Sequence, residues 1–266
     1  MENFVQILGA RGSIPVSGPA YARYGGASTC FLICLGGQYI LVDAGTGMLR
    51  LPEQVMEAPA LSLLVTHPHL DHLQGLTMCR YLMKAGARLD VYGATRGGMG
   101  VEAQLRRVFS PPLWPVGVTG FPAQIRFFPI AGGFSIGSVR VEVMEGVHPG
   151  GVSLFRLSAG GKSAVIATDC TLTEDLLPKL EDIARDCDLL LCDGQYSEAE
   201  FPSRSSFGHS TWTAAARLGL DCGAKRTLVV HHDPNHTDEA LDAAADELLQ
   251  RNPRCGFAVE GERVPL

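Results

Sequence analysis

Short apolar runs recur along the chain and end at glycine, proline or polar residues. Runs of this length between turn-forming residues are typical of buried β-strands. The pattern predicts strands at residues 4–8, 29–35, 39–42, 61–65, 89–92, 124–128, 139–144, 152–157, 164–167, 188–192, 227–230 and 257–260.

Segments with apolar residues at helical spacing lie between several of these strands and predict six helices, near residues 48–56, 73–83, 101–108, 174–184, 212–220 and 238–250. Ser210 and Thr211 are the candidate N-caps of the fifth helix. Residues 110–122 are rich in proline and aromatic residues, a composition that resists regular structure. We expect a packed surface loop there, or a wall or lid beside a functional site.

Each half of the chain begins with strands and continues with alternating strands and helices. This order predicts an α/β protein in which two sheets pack together with helices outside, a four-layer αββα sandwich. No linker, low-complexity segment or short-period repeat interrupts the pattern. Residues 1–266 are therefore predicted to form a single domain.

Composition narrows the classes of function. The 266 residues are 46% apolar, enough for a large core, and the net charge of −6 excludes a generally basic surface for nucleic acid. We find no signal peptide and no apolar run of membrane-spanning length, so the expected location is cytoplasmic, without membrane attachment. Eight scattered cysteines without a C-x-x-C motif are expected to be reduced and mostly buried.

The segment from Thr66 to His72 follows a predicted strand and contains His67, His69, Asp71 and His72. Imidazole nitrogens and carboxylate oxygens are metal ligands, and an extended chain turns His67 and His69 to the same side. Asp71 and His72 follow as the chain turns, so they can face a second nearby point. A polar loop with these histidines by chance is the weaker alternative. The spacing predicts that one loop begins two metal sites.

Other polar candidates also occur just after predicted strands. Strand ends at one edge of a sheet sandwich form a shared rim, so these side chains are expected to converge. Asp43, beside glycines, is either a turn former or a residue that orients a ligand histidine. The strand-end candidates are Asp43, His67, His69, His148, Asp169, Asp193 and His231.

The segments at residues 41–45, 66–72, 148–151, 167–169 and 230–234 resemble, in the same order, those of metallo-β-lactamase-fold hydrolases, and the likeness covers nearly the whole chain. The resemblance implies a binuclear metal site. His231, rather than His232, matches the last ligand because it directly follows the strand, and His232 is then a supporting or structural residue. The implied ligands are His67, His69 and His148 for the first metal, Asp71, His72 and His231 for the second, and Asp169 as the bridge.

Within that fold the chain is most similar to the phosphodiesterase branch that contains ribonuclease Z and small phosphonate-pathway phosphodiesterases. Residues 208–211 resemble its His-x-Thr motif, and residues 188–196 align Asp193 with the acid that pairs with His209. Cys192 replaces the histidine that precedes this acid in ribonuclease Z. Only twenty residues separate His148 from Asp169, too few for a tRNA-gripping arm, so a small phosphodiester rather than tRNA is the expected substrate.

The resemblance implies two divalent metals that hold a bridging hydroxide, with His209 as the proton donor and Asp193 as its orienting partner. Zinc suits this donor set best, and manganese and iron remain alternatives. The sequence leaves open the physiological substrate and the oligomeric state, a homodimer included.

Three alternatives use the same fold. The first is hydrolysis of lactones, thioesters or other carbonyl esters, which do not need the His209 acid. The second is di-iron redox chemistry, whose proteins carry glutamate at the position of His69. The third is a non-catalytic metal-binding sensory module, against which the intact acid pair argues.

Overall fold

A computed structural model describes residues 2–266, which fold into two packed, mixed β-sheets. The first seven strands are β1 Phe4–Gly9, β2 Cys30–Leu35, β3 Gln38–Val42, β4 Ala60–Val65, β5 Arg88–Ala94, β6 Gln124–Ile130 and β7 Phe134–Ile136. The later strands are β8 Val139–Gly146, β9 Val152–Ala159, β10 Lys162–Ala167, β11 Leu189–Asp193, β12 Thr227–Val230, β13 Cys255–Phe257 and β14 Arg263–Pro265.

Within residues 2–266 each sheet contains seven strands, in the orders β14-β1-β2-β3-β4-β5-β6 and β13-β12-β11-β10-β9-β8-β7. Both sheets combine an antiparallel part with a parallel part. Strands β3 to β6 run parallel in the first sheet, and β10 to β13 run parallel in the second. Parallel strands end at the same edge of a sheet, so the loops after β3, β4, β10, β11 and β12 can meet at one rim.

Three apolar cores separate the layers. One core lies between the sheets and includes Ile33, Phe155 and Leu191. The other two lie on the outer faces, where the first sheet packs on residues such as Leu105 and the second on residues such as Leu218. The predicted four-layer αββα sandwich is therefore confirmed.

The α-helices are α1 Glu53–Met56, α2 Val101–Val108, α3 Leu177–Ala184, α4 Phe201–Arg204, α5 Trp212–Asp221 and α6 Asp238–Arg251. Thr211 is the N-cap of α5, because its side chain accepts a hydrogen bond from the Ala214 amide. Ser210 instead donates its hydroxyl to the Cys170 carbonyl at 2.7 Å. The capping hydroxyl is thus the second of the two candidates.

The predicted helix at residues 73–83 is wrong. The Gly75 amide donates to the Ala44 carbonyl at 2.8 Å, and a Cβ at Gly75 would lie 2.0 Å from the Gly45 carbonyl oxygen. This close backbone contact holds the segment against the preceding loop, so a regular helix cannot continue through it. The segment forms short 3-10 turns at Leu70–His72, Gln74–Met78 and Arg80–Met83.

The predicted helix at residues 48–56 is also wrong as a single element. Thr46–Arg50 forms a 3-10 turn, and α1 begins only at Glu53. Pro52 separates the two pieces, and the residue before it, Leu51, leaves the helical region with ψ of 128°. The three-residue strands β7 and β14 were not predicted, because so short a segment shows no clear alternation.

Residues 110–122 are irregular, as predicted. Trp114 and Phe121 are partly buried against the outer core of the first sheet, which accounts for large aromatic residues in a loop. Within the described residues all eight cysteines are buried and none forms a disulfide. None of the helices between residues 2 and 266 is long and apolar enough to cross a membrane.

Candidate metal centre

The loop after β4 contains the densest group of candidate ligands. His69 is extended, with φ of −67° and ψ of 152°, and the 3-10 turn Leu70–His72 follows it. The ring centroids of His67 and His69 are 4.3 Å apart, so the two imidazoles lie side by side. The 3-10 turn then brings His72 beside His67, with ring centroids 4.4 Å apart, so the two predicted sites begin close together.

The structure brings all seven predicted metal ligands into two adjacent clusters. In each cluster the candidate donor atoms lie within 4.8 Å of one another, which is close enough for one ion to contact them all after small side-chain adjustments. One cluster is open to solvent at His69, and the other is fully buried. The open cluster contains His67, His69 and His148, and the buried cluster contains Asp71, His72, Asp169 and His231.

Asp169 lies between the two clusters. Its Oδ2 is 3.2 Å from His72 Nε2 and 3.1 Å from His231 Nε2 in the buried cluster. The same oxygen is 3.6 Å from His67 Nε2 and 3.9 Å from His148 Nε2 in the open cluster. One carboxylate oxygen within reach of both clusters is compatible with the predicted bridging position.

Residues that follow parallel strands adopt an unusual backbone conformation. Asp43, Asp169 and His231 all have positive φ, at 59°, 54° and 65°. Non-glycine residues rarely occupy this left-handed region, and such strain concentrates at functional sites. The three conformations turn these side chains inward at the ends of β3, β10 and β12.

The donor atoms fit a divalent cation. His67 Nε2 is buried and has no hydrogen-bond partner among the described residues, although Asp169 Oδ2 lies 3.6 Å away. Buried polar atoms are nearly always paired, so such a nitrogen beside a carboxylate fits the coordination of a cation. Nitrogen and oxygen donors without thiolate suit zinc, manganese and iron.

The buried cluster favours protonated imidazoles when no cation is present. Burial lowers the pKa of His231, but Asp169 and Asp71 outweigh burial and raise it to about 10. Burial also acts against the charge on His72, and the same carboxylates raise the pKa of His72 well above its usual value. In the open cluster, burial and the neighbouring His72 lower the pKa of His67. The open cluster therefore offers a neutral imidazole, whereas the buried cluster must lose protons before it binds metal.

Asp193 and His209 form the predicted pair beside the clusters. His209 Nδ1 lies 2.8 Å from Asp193 Oδ2, and Asp193 Oδ1 also accepts the Ser210 amide at 2.9 Å. The His209 ring stacks on His231, with centroids 4.6 Å apart. Because Nδ1 is hydrogen-bonded to the carboxylate, Nε2 is the ring nitrogen that can interact with the metal centre. The candidate ligand atoms of His209, His148 and Asp169 lie within 4.8 Å of one another.

His232 lies away from both clusters. Its Nε2 is 2.9 Å from the Ala258 carbonyl, and its ring packs edge-on against Tyr24 and Phe257. Burial, with a smaller effect of Arg11, lowers the pKa of His232 to about 3. A buried neutral histidine with these contacts has a structural role.

Sequence reasoning missed two residues at the centre. The Ser13 amide donates to Asp71 Oδ2 at 2.8 Å, and Gln195 Nε2 donates to Ser13 Oγ at 3.2 Å. Ser13 also has positive φ, at 64°. The only signal in the sequence was the glycine-rich segment at residues 9–15, which is more often an ordinary turn.

A family model described as "Beta-lactamase superfamily domain" matches residues 38–232. A ribonuclease BN from Cronobacter sakazakii is 24% identical in a 248-residue alignment that covers 75% of this chain and 80% of that protein. A ribonuclease Z from Thermoplasma volcanium is 34% identical over 62 residues, 23% of this chain. That second match spans only 20% of the ribonuclease Z.

Solved structures share the fold over almost the full chain. The metallo-beta-lactamase fold protein YhfI from Bacillus subtilis has a TM-score of 0.74 at 18% identity, with 99% of both chains covered. A diphosphatase from the PhnP family has a TM-score of 0.71 at 17% identity, covering 99% of this chain and 98% of its own. The short form of human tRNase Z has a TM-score of 0.71 at 18% identity, covering 99% of this chain and 100% of its own.

Proposed function

The chain belongs to the beta-lactamase superfamily domain family, whose metallo-β-lactamase fold implies divalent metal ions and hydrolysis, and we propose that it is a binuclear metal-dependent phosphodiesterase. Its substrates in this proposal are small or accessible phosphodiesters. Zinc is the proposed metal, since imidazole and carboxylate donors suit it well.

The observation that carries the proposal is the hydrogen bond of 2.8 Å between His209 Nδ1 and Asp193 Oδ2 beside the two clusters. An alkoxide leaves a phosphodiester slowly unless it receives a proton, whereas the more acidic thiol of a thioester departs readily as a thiolate. A histidine whose other nitrogen is held by a carboxylate can present a proton at Nε2. This arrangement supports a phosphodiester over a thioester.

The remaining residues would hold and orient the reactants. When bound, two divalent cations lower the pKa of water and neutralise charge on the phosphoryl oxygens. His67, His69 and His148 would hold one cation, and Asp71, His72 and His231 the other, with Asp169 shared. Asp193 would keep the His209 ring in one orientation, which lowers the entropic cost of proton transfer.

The names of similar proteins agree with phosphoester chemistry, because they include a diphosphatase and ribonucleases. The chain segment from His148 to Asp169 consists mainly of β9 and β10, which are joined by a tight turn at Gly160 and Gly161. Its shortness supports a small substrate. This segment leaves no room for an inserted arm, and the net charge of −6 disfavours tRNA. A single domain and a cytoplasmic location, which the buried free thiols support, complete the proposal.

The test compares substrates on protein loaded with zinc, manganese or iron(II). We expect bis(p-nitrophenyl) phosphate to be hydrolysed faster than p-nitrophenyl phosphate, a γ-lactone or a β-lactam. Asp169→Ala, which removes the shared carboxylate, is expected to abolish all activity and is the control for contaminating hydrolases. Preferential hydrolysis of the lactone, or a fully loaded protein inert to every ester, would contradict the proposal.

A further inference from the structure

A groove of about 550 Å³ lies beside the loop Thr66–His72, called here the metal loop. This volume is within the range of small-molecule binding sites, roughly 300–1,000 Å³. Its lining is mainly apolar and combines the 3-10 segment after His69 with the end of α2 and the proline-rich loop. The apolar lining comes from Leu70, Val108, Phe109, Leu113 and Trp114.

The groove adjoins the segment of candidate metal ligands at Leu70. Leu70 lines it and stands in the chain between His69 and Asp71, one residue from each cluster. Both Leu70 and His69 are exposed, and Leu70 retains 59% of its accessible surface. The lining of the groove therefore includes the residue that directly follows His69 of the open cluster.

The opposite wall is formed by the loop at residues 110–122. Leu113 is 78% exposed, although Phe109 below it is buried and Trp114 is anchored on the core. Adjacent exposed apolar side chains at a concave site mark a binding surface. The sequence had predicted a wall or lid here, and the lining of the groove supports a wall.

Two polar side chains of the groove, Thr77 and Gln74, are already engaged, whereas Arg107 is nearly free. Thr77 Oγ donates to the Gln74 carbonyl at 2.8 Å, and Gln74 Nε2 donates to Ser28 Oγ at 3.1 Å. Arg107, at the edge, contacts only the Met99 sulfur at 3.9 Å among the described side chains and is the single charged residue of the lining. The groove thus offers contact area but few donors, which suits an apolar ligand rather than a sugar or a nucleic-acid backbone.

Exposed apolar residues also adjoin site residues elsewhere in the sequence. Ile14 follows Ser13, Val147 precedes His148, and Phe207 lies two residues before His209. Each of the three is exposed, at 59%, 44% and 57%. Three other loops that contain site residues therefore also carry an exposed apolar side chain.

We propose that this groove binds an aromatic or branched apolar group on the non-leaving side of the substrate phosphodiester. The inference rests on the proposed function and adds the substrate class, an organic phosphodiester with one apolar substituent. Burial of a phenyl ring beside Leu70 and Leu113 removes apolar surface from water on both partners, and about tenfold in affinity or more is expected from such burial.

The binding test uses zinc-loaded protein and calorimetric titration with phenylphosphonate and methylphosphonate, which share the anionic head. We expect phenylphosphonate to bind about tenfold tighter. Leu113→Ser, and separately Leu70→Ser, should reduce the ratio toward one. Leu249→Ser changes a leucine of similar exposure, 52%, on α6 and should keep the wild-type ratio. Equal affinities in the wild type would overturn the proposal.

The kinetic test uses methyl and phenyl esters of p-nitrophenyl phosphate, which have the same leaving group. We expect the phenyl ester to have the higher kcat/KM and Leu113→Ser to remove that preference. Selective phenylphosphonate binding without any diester hydrolysis would contradict the phosphodiesterase but support the groove. Hydrolysis with no phenyl preference would overturn the proposed groove site but not the phosphodiesterase. Conversion of a dimer to a monomer by Leu113→Ser would also overturn the groove site, because a second copy of the chain would then occupy this surface.

Discussion

Asp43 belongs to neither cluster, yet its carboxylate determines how His72 faces the centre. Its oxygens accept the Thr66 amide and hydroxyl, both at 2.8 Å, and Oδ2 lies 2.7 Å from His72 Nδ1. Asp43 is completely buried. With Nδ1 held in this way, His72 presents Nε2 to Asp71 and Asp169, the arrangement by which a carboxylate outside the ligand set orients a metal-binding histidine.

Asp43→Asn is therefore expected to weaken metal binding without removing a ligand. An amide cannot replace both accepting oxygens, so His72 loses its orientation, and affinity for the second metal should fall about 10–100-fold. Competition with a chromophoric chelator measures this change. The matched control is Asp90→Asn. Asp90 is a buried aspartate on β5 that pairs with Arg126, and neither residue adjoins a candidate ligand in the sequence. Equal loss of metal from both variants would show only general destabilisation.

His209→Ala is expected to separate acid catalysis from metal binding. We expect His209→Ala to keep both metals but to lower kcat/KM by about 10²–10⁴-fold on a diester with a poor alkoxide leaving group. With p-nitrophenolate the loss should be much smaller, because that oxygen departs as an anion. Asp193→Asn should show the same contrast more mildly, since it disturbs the orientation of His209.

The contrast must appear across leaving groups at unchanged metal content, measured by elemental analysis of the same samples. An equal loss on both substrates would show that His209 is not the leaving-group acid. Loss of metal from His209→Ala would instead place His209 among the ligands, for which its distance from His148 and Asp169 provides a geometric basis.

At the scale of elements, the 3-10 turns after β4 hold the metal loop in position. The Ala44 amide donates to the His72 carbonyl at 2.7 Å, and the Gly75 amide returns a hydrogen bond to the Ala44 carbonyl. These bonds join the loop after β3 to the loop after β4. A regular helix would not leave these groups free to make such bonds.

Gly75→Ala should disturb this junction. The added methyl group would meet the Gly45 carbonyl oxygen at 2.0 Å, and overpacking against backbone costs about 1–3 kcal/mol. We expect the Tm to fall by about 3–10 °C and metal affinity to fall with it. Gly132→Ala is the control, because nothing lies within 4 Å of a Cβ at that glycine. An unchanged Tm in Gly75→Ala would show that the loop relaxes freely.

At the scale of the whole molecule, the centre lies between the two sheets. His67, His69, Asp71 and His72 follow the first sheet, whereas His148, Asp169 and His231 follow strands of the second. A bound cation therefore connects the halves of the sandwich. Any ligand that binds only the folded state stabilises it, so chelation of the metal should lower the Tm.

Metal binding should also release protons. His231, with a pKa of about 10, and His72, with a raised pKa, hold protons at neutral pH, and coordination requires them to leave. Affinity should therefore rise as pH increases from 7 toward 10, with about one to two protons released per chain at pH 7.5. Calorimetry in buffers of different ionisation enthalpy measures this number. Zero proton release would contradict the charge state assigned to the buried cluster.

Much of the fold was predictable because the sequence patterns that indicate strands and helices lie within the segments that form them. The apolar runs predicted most of the strands, and the order of strands and helices predicted the four layers. His67, His69 and the other candidate ligands were recognisable because metal binding restricts residue type and because each follows a strand. The likeness to metallo-β-lactamase-fold hydrolases then assigned them to two metals, an assignment that remains a proposal.

Long-range contacts decided the rest. The turns at residues 70–83 depend on a glycine pressed against a loop thirty residues earlier, and the approach of Asp169 to His67 depends on the packing of two sheets. Neither contact has a signature in its own segment. The sequence by itself determined which residue types stand at the strand ends, because apolar periodicity and ligand chemistry are properties of neighbouring residues. Only the tertiary structure brought Ser13 to Asp71 and placed Leu113 opposite Leu70, because those approaches depend on how distant elements pack.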